Sequence, residues 1–155
     1  MIIRNAKVAD AKQIHAIISD FAGLDRMLFR SMANIYENIQ TFIVAEDDGR
    51  VVGCVALSVM WSDLAEVKSL AVSRDMNGKG IGRQLVDMAV ANAKTIGISK
   101  VFALTLEPAF FEKVGFRRVD KKMLPMKVWS DCANCPKQDH CDEIAVMIDF
   151  DKSDE

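Results

Sequence analysis

A chain of 155 residues, 50% of them hydrophobic, can bury one core and is too short for two ordinary domains. Its net charge of −2 and pI near 5.7 provide no field for nucleic acid or an anionic membrane, so polyanionic partners are disfavoured and a small-molecule or protein substrate is expected. It opens Met1-Ile2-Ile3-Arg4-Asn5 with no basic segment leading into an apolar run, and no stretch approaches bilayer length, which predicts a soluble cytoplasmic protein.

Ile2 and Ile3 open a short strand. Asp10, with Gln13 three residues on, can cap a helix whose Ile14, Ile17, Ile18 and Phe21 form one apolar stripe. His15 flanks that stripe and reads as a boundary residue rather than a catalyst. After Gly23 a second helical stretch spans about 28–39, with Leu28, Met32, Ile35 and Ile39 at helical spacing. Residues 41–46 and 50–61 are β-rich and joined by Asp47-Asp48-Gly49, a hairpin signal, and a strand over about 64–72 completes an antiparallel meander. Cys54 lies within this meander in an apolar run and reads as core.

The run Asn77-Gly78-Lys79-Gly80-Ile81-Gly82-Arg83 follows the strand-like Val67-Lys68-Ser69-Leu70-Ala71-Val72 and precedes an amphipathic stretch. Glycines let an anion approach the backbone, and the first N–H groups of a helix point where its dipole favours negative charge, so the run has the form of a pyrophosphate cradle. A tight turn with an ordinary helix start is the plainer account of the same spacing. Lys79 is not followed by a second Gly-Lys-Ser/Thr, and the turn comes late in the chain, which sets aside the nucleotide-triphosphate and dinucleotide loops.

Residues 80–96 place Ile81, Leu85, Met88, Ala89, Ala93 and Ile96 on one helical face, and Gly97 stops the helix. The apolar run 98–106 suits a strand buried on both faces and parallel to its neighbour. Pro108 then begins a short helix that Gly115 ends, and 116–122 and 143–150 complete the sheet. Between them lies a Cys-containing insertion at about 125–142, and 151–155 should fray. Cys132-x-x-Cys135 and Cys141 are shaped like half of a structural zinc site without a clean fourth ligand, since His140 adjoins Cys141. A redox pair and reduced thiols are the alternatives, and no metal ligand set is assigned.

This order of elements resembles the GNAT superfamily of acetyl-CoA-dependent N-acetyltransferases over nearly the whole chain. The resemblance is carried by Leu70-Ala71-Val72, by Asn77-Gly78-Lys79-Gly80-Ile81-Gly82 and by Ala109-Phe110-Phe111-Glu112-Lys113-Val114-Gly115-Phe116, in register. Within the superfamily the chain is most similar to the acetyltransferase domain of N-acetylglutamate synthases, through Ile98-Ser99-Lys100-Val101-Phe102-Ala103-Leu104-Thr105, Val119-Asp120 and Leu124-Pro125 with Lys127. It has no room for the kinase-like domain of the long synthases and resembles the short, stand-alone form; regulation by arginine is not carried over.

The fold so implied is a single α/β (α+β) domain over 1–150, a mixed and mostly antiparallel central sheet flanked by helices. The implied cosubstrate is acetyl-CoA, held by Leu70, Ala71, Val72, Asn77, Gly78, Lys79, Gly80, Ile81, Gly82, Arg83, Phe110, Phe111 and Lys113. Two residues depart from the family pattern. Asn77 replaces the usual Arg or Gln, and Phe111 stands where many members place the tyrosine that protonates the departing thiolate, while the one tyrosine is Tyr36.

By the same likeness the Leu70 backbone N–H would stabilise the thioester oxyanion. An attacking amine must be neutral, and Glu66, four residues before Leu70 on the same strand, is the candidate base; pairing with Lys68 is its structural alternative. Arg30, Lys68 and Lys127 are candidates to hold the carboxylates of glutamate. The expected reaction is direct acetyl transfer to the α-amine of glutamate, with a homodimer one compatible assembly. The alternatives are another amine (a protein N-terminus, a polyamine or a different amino acid) and a catalytically poor acetyl-CoA-binding module.

Overall fold

The computed structural model describes residues 1–23, 29–124 and 143–151. In chain order the elements are β1 (Ile2–Asn5), α1 (Ala11–Gly23), α2 (Met32–Glu37), β2 (Phe42–Asp47), β3 (Arg50–Trp61), β4 (Leu64–Val72), α3 (Ile81–Thr95), β5 (Lys100–Thr105), α4 (Pro108–Lys113), β6 (Arg117–Val119) and β7 (Ile144–Asp149). The seven strands make one mixed, mostly antiparallel sheet in the order β1-β2-β3-β4-β5-β7-β6. By packing the chain divides into two units, Met1–Ser58 with Val67–Asn92, and Val59–Glu66 with the described residues from Ala93 onward.

In the first unit β2 lies antiparallel to β1 and β3, with Phe42↔Ala56 and Val44↔Cys54 in register. The β2–β3 hairpin turns at Asp48 and Gly49, whose φ of 52° and 79° are those of a type I′ loop, as the Asp-Asp-Gly run predicts. Alternate residues then separate onto two faces. Phe42, Val44, Cys54 and Ala56 pack with Ile14, Ile17 and Ile18 of α1 and Ile35 of α2. Ile43, Ala45 and Val55, the intervening residues, are buried too, which is why these strands read as unbroken apolar runs.

Gly53, on the second face, explains how closely α3 is seated. A Cβ there would come within 3.0 Å of Leu85 Cδ1 and 3.3 Å of both Ile81 Cγ2 and the Ala71 carbonyl. The absent side chain lets the start of α3 lie against β3 and β4 here without displacing Leu85 or Ile81.

The second unit is built around β5. It is parallel to β4 through Leu64↔Lys100, Ala65↔Val101 and Glu66↔Phe102, and antiparallel to β7 from Lys100↔Asp149 to Thr105↔Ile144. Met60, Leu64, Phe102, Leu124 and Ala145 form its core. At the end of α4, Phe116 N–H donates to the Phe111 carbonyl and Gly115 N–H to that of Glu112, a Schellman closure with Gly115 at φ 108°. Phe111 and Phe116, the pair that such a closure brings together, meet edge to face with centroids 5.2 Å apart.

Several expectations need correction. The second helix is short, Met32–Glu37, followed by a 3-10 turn at Ile39–Thr41. Ser31 caps it, its hydroxyl accepting from Asn34 N–H, so the helix begins later than the apolar spacing implied. Asp10, directly ahead of α1, and Gln13 do not form the expected capping pair. Its carboxylate accepts from Lys7 N–H and Arg4, while Gln13 accepts from Val51 N–H at 2.9 Å. Ile96 is 60% exposed, because α3 ends at Thr95 and the Gly97 turn directs Ile98 into the core instead. The strand expected over 116–122 is only Arg117–Val119, with a 3-10 turn at Lys121–Met123.

Candidate active site

The end of β4 and the glycine turn lie in the first unit, joined by hydrogen bonds that leave little freedom between them. Ser73 N–H donates to the Val52 carbonyl at 2.8 Å, ending β4 against β3, and Met76 N–H returns to Ser73 across a 3-10 turn. Met76 and Ile81 are buried on either side of the glycines and anchor the loop, while Asn77, Gly78, Lys79 and Gly80 are exposed. Arg74 donates twice to the Asp20 carboxylate of α1, at 3.1 and 3.2 Å. Arg50 donates to Asp75 at 2.7 Å, and that hydrogen bond holds the Asp75 carboxyl below its usual range.

Gly78 and Gly80 have φ of 79° and 77°, and a Cβ at either would meet nothing within 4 Å. Glycine is needed here for backbone conformation rather than for want of space, and the space beside the backbone is open. The next residue starts a 15-residue helix whose first closing bond runs from Gln84 N–H to the Gly80 carbonyl at 3.2 Å. The N–H groups before Gln84 have no carbonyl within the helix to receive them, and the helix dipole adds to their pull on an anion. Lys79 and Arg83 are exposed on this turn. The arrangement fits a diphosphate, with Asn77 through Arg83 supplying main-chain donors and two cations.

Along β4, Ala71 is buried and Leu70 and Val72 are half-buried. Ser69 has φ 56°, a left-handed conformation inside a strand. A left-handed residue within a strand turns the following residue away from the regular pleat, and here that residue is Leu70. The reversed φ also interrupts the two-residue alternation on which the shared face of Glu66 and Leu70 was expected, so that argument does not carry across Ser69.

Arg30 meets this irregularity from the segment before α2. Its Nη1 donates to Ser69 Oγ at 3.0 Å and its Nε to Asn34 Oδ1 at 2.7 Å, and the guanidinium carbon lies 4.9 Å from the Phe42 ring centroid. On the other side of Ser69, the Cys54 thiol donates to its carbonyl at 3.5 Å. Burial pushes that thiol up to about 12, partly offset by the Arg30 charge and by a backbone hydrogen bond, so Cys54 is a neutral donor and no nucleophile. Lys68 is half-buried in the same unit.

In the second unit Glu66 is 7% exposed and sits opposite Phe102 in the β4–β5 ladder. Phe111 is 5% exposed, edge-on to Phe110 at 5.1 Å, while Lys113 is exposed on the last turn of α4. Phe111 therefore contributes packing and no proton. Lys127, Cys132, Cys135 and Cys141 lie outside the described residues. Among the described residues no group of three or more His, Cys, Asp or Glu is placed to hold a metal.

Three contributors escaped the reading of the sequence. Gly53 carried a usable signal, since a lone glycine inside an apolar strand marks a close backbone approach. Ser69 carried none, because serine is not a residue that announces a left-handed backbone. The Arg74–Asp20 pair spans 54 positions and is a product of the fold.

Comparison with known proteins gives a consistent picture. Residues 38–118 match the family model described as the acetyltransferase (GNAT) domain. An uncharacterized N-acetyltransferase of Chlorobaculum tepidum is 46% identical over 94% of both chains. The amino-acid acetyltransferase of Mycobacterium tuberculosis is 35% identical over 84% of this chain and 76% of its own. Among solved structures, a Mycobacterium tuberculosis protein in complex with CoA and NLQ superposes with a TM-score of 0.85 at 28% identity, covering 96% of this chain and 99% of that one. The N-acetylglutamate synthase of Neisseria gonorrhoeae, complexed with coenzyme A and N-acetyl-glutamate, gives a TM-score of 0.86 at 28% identity, covering 96% of this chain and 35% of that one.

Proposed function

The chain belongs to the GNAT family of acetyl-CoA-dependent N-acetyltransferases, and on that premise we propose that its acceptor is the α-amine of glutamate. The observation that carries this reading is Arg30: a guanidinium in contact with an amide, an aromatic face and the hydroxyl of Ser69, the residue before Leu70 on β4. A planar fork so held is suited to a carboxylate. The likeness to an amino-acid acetyltransferase, and to a synthase complexed with N-acetyl-glutamate, supports the same choice.

On this reading the glycine turn grips the diphosphate of acetyl-CoA and the β4 backbone from Leu70 to Val72 aligns the pantetheine arm. The amine nitrogen attacks the thioester carbonyl as the Leu70 N–H receives the oxyanion, and the C–S bond then breaks to release CoA thiolate. Glu66, buried and acidic, takes the proton that the amine must lose, directly or through water. Arg30 and Lys68, with Lys127, hold the acceptor carboxylates. The product would serve arginine biosynthesis in the cytoplasm.

Thiol release from acetyl-CoA, followed across a panel of amino acids, peptides and polyamines, should show turnover selective for L-glutamate. Release only with a peptide or a polyamine overturns the choice of acceptor and leaves the family assignment standing.

A further inference from the structure

Ser69 stands where two systems meet. Its backbone is left-handed at φ 56°, a conformation that costs a non-glycine residue about 1 kcal/mol and persists only when its surroundings hold it. The carbonyl is held by the Cys54 thiol at 3.5 Å and the hydroxyl by Arg30 Nη1 at 3.0 Å. Asn34 and Phe42 also engage the guanidinium, through Nε at 2.7 Å and the ring at 4.9 Å. Of these contacts, the Ser69 hydroxyl is the one that ties Arg30 to β4, immediately ahead of Leu70.

We propose that Ser69 is a positioning residue for the acceptor: its hydroxyl sets the direction of the Arg30 guanidinium relative to the strand that carries the thioester. This rests on the reading of Arg30 as the grip for the acceptor carboxylate. In this role the serine acts through the arginine. A hydroxyl that aims a cation without charge of its own leaves the electrostatic attraction for the acceptor intact while restricting its approach.

Two substitutions separate the hydroxyl from the backbone. Ser69→Gly keeps the left-handed conformation at no steric cost and removes the hydroxyl; Ser69→Ala removes the hydroxyl and retains a Cβ. Both should raise the KM for L-glutamate about tenfold, the scale of one hydrogen bond to a charged group, with the KM for acetyl-CoA within about twofold of wild type. In an Arg30→Ala background neither should raise it further, because the serine acts through that side chain. If Arg30→Ala raises the glutamate KM and the Ser69 variants do not, the positioning role is overturned and the Arg30 reading survives. If Arg30→Ala leaves the glutamate KM unchanged, or the wild type does not turn over glutamate, both are overturned. Equal additive losses in single and double variants also overturn the proposal, since they denote a structural effect independent of Arg30.

Discussion

Two arginines in the first unit differ in the partners that orient them. Arg4 donates to both oxygens of Asp10, at 2.8 and 3.0 Å, and to Glu46 at 2.9 Å. Those hydrogen bonds raise the Arg4 pKa, and the Arg4 hydrogen bond holds the Asp10 carboxyl below its usual range, so each group keeps the other ionised. The contacts of Arg30 include an amide, a hydroxyl and a ring, with a buried thiol nearby. Carboxylate partners answer a cation and make it part of the frame. Neutral partners aim it, which is what recognition of an anionic substrate asks for.

The contrast breaks most plainly at Arg4. Arg4→Ala should cost about 3 kcal/mol of unfolding free energy by urea titration, because it leaves the Asp10 carboxylate buried without its cation. The glutamate KM of the folded enzyme should not move. Arg30→Lys is the reverse case: it keeps the charge and loses the fork, so the glutamate KM should rise about thirtyfold, equivalent to about 2 kcal/mol, with urea stability nearly unchanged. If instead Arg30→Lys destabilised the protein as strongly as Arg4→Ala, the distinction between frame and tool would fail.

Gly53→Ala sharpens the comparison from outside both clusters. Pushing Leu85 and Ile81 off β3 should cost about 1–2 kcal/mol and displace the first turn of α3, raising the KM for acetyl-CoA and leaving that for glutamate nearly unaltered. The smallest expected effect is in pH. Asp10 is more acidic folded than unfolded, so its contribution is full above its unfolded pKa of about 4 and is lost as pH falls through the lower folded value. Urea midpoints should therefore fall more steeply below about pH 4 in wild type than in Arg4→Ala.

Local rules recovered what is local. The Asp48–Gly49 hairpin, the glycine turn, the helix beginning at Ile81 and the doubly buried β5 follow from residues near one another in the chain. The extent of helices was less legible, because Ser31 caps α2 late and the Gly97 closure substitutes Ile98 for Ile96. In the candidate site the glycines and the β4 end could be read directly, while the bond from Arg30 to Ser69 joins positions 39 apart. Nothing in the residue types foretells that pairing, nor the reversal of φ at Ser69 that makes it. Motif likeness pointed to the cosubstrate's identity and left the acceptor's surroundings to the fold.

The open, left-handed positions Gly78 and Gly80 have a stereochemical consequence. Mirror-image residues prefer positive φ, and φ at Gly78 and Gly80 is 79° and 77°. A semisynthetic chain bearing D-alanine at both should thus tolerate them where L-alanine is strained, and would tighten the unfolded chain's ensemble in the enzyme's favour. The loop is selective for handedness rather than for the smallest residue.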